Sequence, residues 1–291
     1  MKGHCIVNPV AGKGLTGKEW GKIWETLLHT GFDLTYEFTG GKGEGSQLAK
    51  KAAAAGADLI VAVGGDGTVN EVVNGLVGTQ AKLAIIPTGT GNDFVRTVGI
   101  PLDPLEACIV IGTMKSRIVD LAKIGDTYFL NVAGIGFDAQ VAAEVNRSNS
   151  FLKGKLSYLW AILKVVTAFQ PAQVELRFEG NTITKKILVV ALANARYYGG
   201  GMEIAPGAKV DDGLLDVVTI EEMSKLELIR SLPLLLKGRH LGHPKVSVYR
   251  CPELTVTGPK TVFVHADGEL LEGLPIAVAI VPKALEILVP T

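Results

Sequence analysis

Two carboxylates stand where carboxylates are costly. Asp66 lies in Gly64-Gly65-Asp66-Gly67-Thr68, directly after the apolar run LIVAV, and Asp93 closes Pro87-Thr88-Gly89-Thr90-Gly91-Asn92-Asp93 after KLAII. Each loop follows a segment that reads as a buried strand and precedes one that reads as a helix. Successive main-chain N–H groups at a helix N-terminus carry a partial positive charge suited to phosphate. The glycines let that backbone approach a ligand, and Thr68 and Thr90 add hydroxyl donors. Acids among phosphate-binding loops repel the phosphates unless a cation lies between them. Magnesium, bound by carboxylates, water and phosphate oxygens, resolves the conflict. Asp66 and Asp93 are therefore expected to serve a metal–nucleotide complex; the alternative makes Asp66 a turn former and Asp93 a helix cap.

Such loops need a scaffold that brings strand ends together. From residue 1 to about 115, short apolar runs (HCIV, DLTYEFT, DLIVAV, KLAIIP) alternate with helical patterns (GKEWGKIWETLLHTG, GSQLAKKAAAAG, TVNEVVNGLVG). This β-α-β-α order predicts a doubly wound, parallel α/β sheet with ligand sites beyond the carboxyl ends of the strands. From about residue 117 the rhythm changes. QVELRFEGNTITKKILVVALANA alternates apolar and polar residues around Gly180-Asn181, a two-residue hairpin signal. LLDVVTI, KVSVYR, ELTVTG and TVFVHADG read as further short strands, and FLKGKLSYLWAILKVVTAF and SKLELIRSLPLLLKG as helices. The expected organisation is an α/β domain over 1–116 and a mainly antiparallel β-rich domain over 117–277, with the apolar segment 278–291 returning to the first.

The first loop invites two other readings. Gly12, Gly14 and Gly17 satisfy G-x-G-x-x-G, and Glu37 falls 20 residues after Gly17, the outline of a dinucleotide fingerprint. Against it, Asn8-Pro9-Val10-Ala11 separates the strand from the first glycine. GKGLTGK nearly forms a P-loop, but Glu19 stands where Ser or Thr should hold magnesium. Lysine plus arginine equals aspartate plus glutamate, 29 each, so no global charge points to nucleic acid. Cys5, Cys108 and Cys251 are far apart and outside metal-ligand spacings, which favours free thiols. With no signal-like N-terminal segment and no apolar run of bilayer length, a soluble, cytoplasmic chain is expected.

Together, NPVAGKG (8–14), GGDGTVNEVVNGL (64–76), PTGTGNDFVRTVGIP (87–101), NVAGIGFDAQV (131–141), GGGMEIAPGAKVDDGLLDVV (199–218) and HADGE (265–269) resemble the diacylglycerol kinase catalytic family, of the bacterial soluble lipid kinase type. The pieces fall in family order over nearly the whole chain; GGDGT alone is shared with NAD kinases and phosphofructokinases. The resemblance implies an α/β nucleotide domain and a β-sandwich with the active site between them. It assigns Asn8, Pro9, Val10, Ala11, Gly12, Thr39, Gly64, Gly65, Asp66, Gly67, Thr68, Val69, Asn70 and Thr90 to ATP. Asp66 and Asp93 become carboxylates of the active-site magnesium network. Glu269 becomes the general base toward the lipid hydroxyl, with Asp267 its close companion. A second, structural magnesium maps onto Asp212 and the carbonyls of Lys209 and Leu214.

Read from the residues alone, Asp267-Gly268 is a strong hairpin turn, and Glu269, after the apolar TVFV, is expected to be buried enough to raise its pKa toward neutrality. Asp211, Asp212 and Asp216 crowd together, which suits a hard cation but also a hydrated turn. His265 reads as a structural or exposed histidine; His4, His29, His240 and His243 show no zinc pattern. No acid lies between Glu144 and Glu175, while Arg147, Lys153, Lys155 and Lys164 do; Lys237 to Lys245 is likewise acid-free. Basic groups beside apolar side chains favour transient, peripheral contact with an anionic membrane, and the alternative is ordinary helix packing. The reading is an ATP- and magnesium-dependent kinase of diacylglycerol or a related lipid, with a homodimer left open. The rivals are a kinase of a soluble acceptor such as NAD and a nucleotide- or lipid-binding regulator without turnover.

Overall fold

Apolar runs that alternate with helices become interior strands because both faces can be covered. In the computed structural model, which describes residues 1–147 and 155–290, the first part of the chain runs β1 (Lys2–Val7), α1 (Ala11–Leu28), β2 (Asp33–Phe38), α2 (Glu44–Ala54), β3 (Leu59–Gly64), α3 (Asp66–Leu76), β4 (Lys82–Pro87), α4 (Asp93–Val98), α5 (Pro104–Thr113) and β5 (Ser116–Ile124). The strand order is β4-β3-β1-β2, every neighbour parallel, so the loops after all four strands open at one edge of the sheet. Every residue of β3 is buried, as a central parallel strand requires, whereas the edge strand β2 is largely exposed. Trp20, Ile23 and Leu27 of α1 and Cys108 and Ile111 of α5 pack on Cys5, Val61, Val63 and Ile86. On the other side α2 and α3 lie so close that a Cβ at Gly75 would sit 2.3 Å from the Ser46 carbonyl oxygen.

The second part continues with β6 (Thr127–Phe129), β7 (Val132–Gly136), α6 (Phe137–Arg147), α7 (Lys155–Ala168), β8 (Ala172–Phe178), β9 (Asn181–Ala193), β10 (Tyr197–Tyr198), β11 (Met202–Glu203), β12 (Leu215–Glu221), α8 (Lys225–Leu236), β13 (Val246–Cys251), β14 (Glu253–Thr257), β15 (Val264–Ala266), β16 (Glu269–Leu271) and β17 (Ile276–Leu288). Compactness divides the chain into Met1–Leu121 with the segment from Pro282 onward, and Ala122–Val281. β17 serves both: Ile276 to Ala279 pair with β14, and Ile287 pairs in parallel with Leu83 of β4.

β9 organises the second unit. Its first half pairs with β8, and its second half lies between β7 and β12, all antiparallel. That second half is buried on both faces. Ile187, Val190 and Leu192 enter a core closed by Val256, Val264 and Val278. Leu188, Val189 and Ala191 face a second core with Ile162, Val165 and Val166 of α7 and Phe137 of α6. Two expectations shift, and one helix is added. The β8–β9 hairpin turns at Glu179-Gly180, with φ of 48° and 75°, one residue before the Gly-Asn pair, because Phe178 pairs with Asn181. TVFVHADG contributes only Val264–Ala266 as strand. The helix α6, which starts within GIGFDAQV and runs on to Arg147, goes unread in the sequence, where no signal separates it from the strand before it.

The cysteines are free and buried; burial pushes the thiols of Cys5 and Cys108 up to about 12 and that of Cys251 to about 11, which leaves them inert near neutrality. His240 is also buried, donating from Nε2 to the Ile204 carbonyl at 2.9 Å, and burial lowers its pKa below 6.5. Below pH 6.5 the unfolded chain therefore takes up a proton that the folded one resists, and stability falls as pH falls. Melting temperatures measured at pH 7.5 and 5.5 should drop by an amount equivalent to about 1 kcal/mol per pH unit at most. Part of that slope should vanish in His240→Gln.

Candidate active site

The cleft of the first unit grows out of the sheet's carboxyl edge. After β1, the Asn8 side chain accepts the Val10 N–H at 3.2 Å and donates to Thr68 Oγ1 at 2.9 Å, tying the first loop to the third. Gly12, Lys13 and Gly14 then take left-handed φ of 58°, 62° and 85°, a break within α1. Only glycine suits position 12, where a Cβ would also lie 2.3 Å from the Thr88 carbonyl oxygen. Thr16 and Thr88 join through buried hydroxyls 2.6 Å apart. The GGDGT and PTGTG loops meet backbone to backbone: a Cβ on Gly89 would fall 2.3 Å from the Gly65 Cα. These close approaches leave a cleft of about 440 Å³ walled by Asn8, Val10, Ala11, Gly12, Thr39, Gly65, Gly67, Thr68, Gly89 and Thr90.

Of the other residues assigned to the nucleotide, Pro9, Gly64, Asp66 and Asn70 do not line this cleft, although Gly65 and Gly67 on either side of Asp66 do, and Val69 is buried in the core. Five residues not assigned to the nucleotide do line it: Gly40, Gly41, Lys42, Glu71 and Gly89. The glycine-rich TGGKGEG at the carboxyl end of β2 is a signal for Gly40, Gly41 and Lys42. Glu71 of α3 accepts the Gly43 N–H at 2.7 Å and the Gly45 N–H at 3.0 Å, so one carboxylate staples the loop that presents Lys42.

Asp66 and Asp93 are linked more tightly than either reading anticipated. Asp66 Oδ1 accepts the N–H groups of Asp93, at 2.7 Å, and Phe94, at 3.4 Å, which are the first two residues of α4. Asp66 thus caps α4 from outside it, while Asp93 is buried in the first turn. Asp66, between the cleft-lining Gly65 and Gly67, brings a carboxylate to the helix turn that carries Asp93, and two such acids suit magnesium of the kind that completes its shell with water and phosphate. Among the described residues no group of three or more His, Cys, Asp or Glu side chains forms a self-sufficient metal cage.

In the second unit, Asp267 and Gly268, with φ of 47° and 85°, make the two-residue turn between β15 and β16, and Ala266 pairs with Glu269 across it. The turn is also an anchor. The Asp267 carboxylate accepts the N–H groups of Leu130 (2.8 Å), Asn131 (3.0 Å) and Val132 (3.1 Å). Charge-assisted bonds of this type contribute roughly 1.5–3 kcal/mol each, so Asp267 holds the turn in place. Glu269 is exposed, contrary to the burial expected of it, because it begins β16 on the open side of the hairpin.

The loop expected to hold a structural magnesium balances its charge from within. Asp212 Oδ1 accepts the Leu214 N–H at 3.2 Å, its other oxygen binds the Arg250 guanidinium, and Arg250 Nε lies 3.5 Å from Asp216. Burial pushes the Asp216 carboxyl up despite Arg250. Arg250 therefore already supplies a positive charge to Asp212 and Asp216 in the loop that also carries Lys209 and Leu214.

Comparison with known proteins covers both units. The diacylglycerol kinase catalytic domain matches residues 2–124, and the YegS C-terminal NAD kinase beta sandwich-like domain matches residues 131–289. A diacylglycerol kinase of Mycobacterium tuberculosis (strain ATCC 25618 / H37Rv) is 33% identical over 293 residues, covering 98% of this chain and 94% of its own. A YegS-like lipid kinase of Pseudomonas putida is 33% identical over 292 residues, covering 100% and 97%. A solved diacylglycerol kinase of Bacillus anthracis str. Sterne is 25% identical with a TM-score of 0.77, covering 99% of this chain and 96% of that one. A second solved chain from that organism, 28% identical, reaches 0.85 and covers 99% and 95%. The chain belongs to the diacylglycerol kinase family: it is a lipid kinase, an enzyme that phosphorylates a hydroxyl group.

Proposed function

We propose that the protein transfers the γ-phosphate of ATP, as its magnesium complex, to a hydroxyl of diacylglycerol or a related lipid at a membrane surface. The observation that carries the reading is the cleft walled by four glycine loops at helix N-termini, with the Asp66 carboxylate bonded to the Asp93 amide where two of those loops meet. Phosphoryl transfer asks a protein mainly for positioning and charge neutralisation. The loop amides, Thr68 and Thr90 orient the phosphates. Asp66 and Asp93 hold the magnesium, which supplies positive charge to the phosphate oxygens when bound. Glu269 accepts the proton of the lipid hydroxyl, and an apolar substrate laid over this exposed carboxylate removes water from it, which strengthens it as a base.

Support for a membrane-borne acceptor lies on two helices of the second unit. Trp160 (57% exposed) and Leu163 of α7, and Leu226 (57%) and Ile229 of α8, face solvent while their neighbours fill the core. Lys225 Nζ donates to the Thr167 carbonyl at 2.5 Å, tying the start of α8 to the end of α7. Residues 148–154, including Lys153, fall outside the described residues. The second basic segment is partly neutralised, since Glu227 holds Lys245 at 2.9 Å and lies 3.7 Å from His243. No helix among the described residues is long and apolar enough to cross a membrane.

The test is transfer of labelled γ-phosphate to a panel of lipids in mixed micelles, with and without magnesium, with NAD as competitor acceptor. Magnesium-dependent label in one lipid supports the reading and names its substrate; label in NAD alone overturns it. The same assay checks Glu71. Glu71→Ala frees the Lys42 loop and should raise KM for ATP about tenfold, the equivalent of about 1.4 kcal/mol, with kcat within about threefold of the parent.

A further inference from the structure

Beneath the Asp267-Gly268 turn lies a buried pair that phosphoryl transfer as described does not use. His265, the middle residue of β15, and Asp138, in the first turn of α6, are each 3% exposed. Ionisable side chains at that depth need partners. His265 Nε2 and Asp138 Oδ2 face each other at 3.7 Å, and neither atom has a hydrogen-bond partner elsewhere. Asp138 Oδ1 accepts the Ala139 N–H at 2.8 Å. On the far side of the ring, His265 Nδ1 accepts the N–H of Gly268 at 3.3 Å. The Tyr198 ring lies nearly parallel to the imidazole, 9° apart in plane and 6.4 Å between centroids. Gly134 of β7 stands directly across from His265, and a Cβ there would come within 2.1 Å of Asp138 Oδ2 and 2.4 Å of His265 Nε2. The glycine is what lets the pair meet.

A backbone N–H can only donate, so Nδ1 must be bare. A neutral imidazole then carries its proton on Nε2, aimed at Asp138. At 3.7 Å inside the protein, the carboxylate's charge still decides which end of the ring is protonated. The order is Asp138 carboxylate, Nε2–H, bare Nδ1, Gly268 amide, and the residue after Gly268 is Glu269.

We propose that Asp138 and His265 are positioning residues for the base: Asp138 selects the tautomer, and His265 in that tautomer grips the Gly268 amide and so fixes the direction in which Glu269 leaves the turn. The effect on turnover rests on the reading of Glu269 as the base; the tautomer does not.

The pair can be tested by two independent readouts on the full chain. Long-range ¹H–¹⁵N spectra of the five histidines, with His265 identified from its loss in His265→Asn, report which ring nitrogen carries the proton. The expected wild-type result is Nε2–H with bare Nδ1; a protonated Nδ1 overturns the proposal outright. Asp138→Asn offers an amide where the carboxylate was and should move the proton to Nδ1, so that donor meets donor at Gly268. Its kcat should fall roughly 10- to 100-fold, the scale of a misplaced catalytic group, with KM for ATP and lipid within about twofold. His265→Asn places Oδ1 where Nδ1 was and should keep kcat within about threefold, whereas His265→Leu should fall as far as Asp138→Asn. An unchanged tautomer in Asp138→Asn, an unchanged kcat despite a changed tautomer, or equal losses in His265→Asn and His265→Leu each overturn the proposal. If Asp138→Asn fails to fold, the wild-type spectrum and the two His265 variants still decide. A wild type with the expected tautomer but no lipid phosphorylation sinks the functional reading and, with it, the role given to the pair.

Discussion

Glu269→Gln should cut kcat by about 10²- to 10⁴-fold, the range supplied by a positioned general base, while leaving the melting temperature and ATP affinity unchanged. Glutamine is the same size and cannot take the acceptor's proton. The side chain is exposed, and Glu269 pairs with Ala266 through the backbone; exposed substitutions of this sort stay within about 0.5 kcal/mol. Nor can Asp267 stand in, because its carboxylate is engaged by the amides of Leu130, Asn131 and Val132. Single-turnover transfer to lipid, compared with equilibrium nucleotide binding, checks the prediction. A variant that keeps a third of its turnover would mean that the proton leaves by another route.

At Asp66 two substitutions separate two duties. Asp66→Asn keeps an oxygen that can accept the Asp93 and Phe94 amides but loses the charge. It should fold normally and lose roughly 10²-fold or more in kcat, the scale of one electrostatic stabiliser of a transition state, with a higher magnesium requirement. Asp66→Ala loses the cap as well and should melt lower by the equivalent of about 1–2 kcal/mol. Magnesium titrations of activity and thermal melts of both variants decide the matter. Equal activity losses with unequal melts fit the assignment; an active, stable Asp66→Asn removes the metal role from this residue.

That double duty shows what a sequence discloses and what it withholds. The order of strands, glycine loops and helices in the first unit is local, and so was legible: each loop follows an apolar run and precedes a helical period. Asp66 as a cap for a helix 27 positions on is tertiary, and the sequence offers only Asp66 as a turn former and Asp93 as a cap. The HADGE turn was likewise read as turn or site when it is built as a turn and carries the candidate base. The exposure of Glu269 depends on which side of a short hairpin faces outward, which TVFV cannot say. His265 reads as an ordinary residue until Gly134, far away in sequence, is seen to leave it space. The turn at Glu179-Gly180 was displaced because cross-strand pairing, not the favoured Gly-Asn dipeptide, sets its register.

The path of β17 bears on how the protein is made. Ile287 lies beside Leu83 in the first sheet, Glu286 bonds Lys82 Nζ at 2.6 Å, and the Val289 amide reaches the Lys115 carbonyl. Translation delivers these residues only after all of Ala122–Val281. On the ribosome, the nucleotide-binding half therefore waits with the edge of β4 uncovered while the inserted half is synthesised and can fold, and an uncovered strand edge invites pairing with other chains. A message truncated before Pro282 would yield a polypeptide with every glycine loop of the cleft yet no means of closing the sheet beneath them. Such fragments should be recovered in aggregates and cleared by proteases, and the stretch from Glu286 to Val289 serves as the latch that ends the vulnerable period.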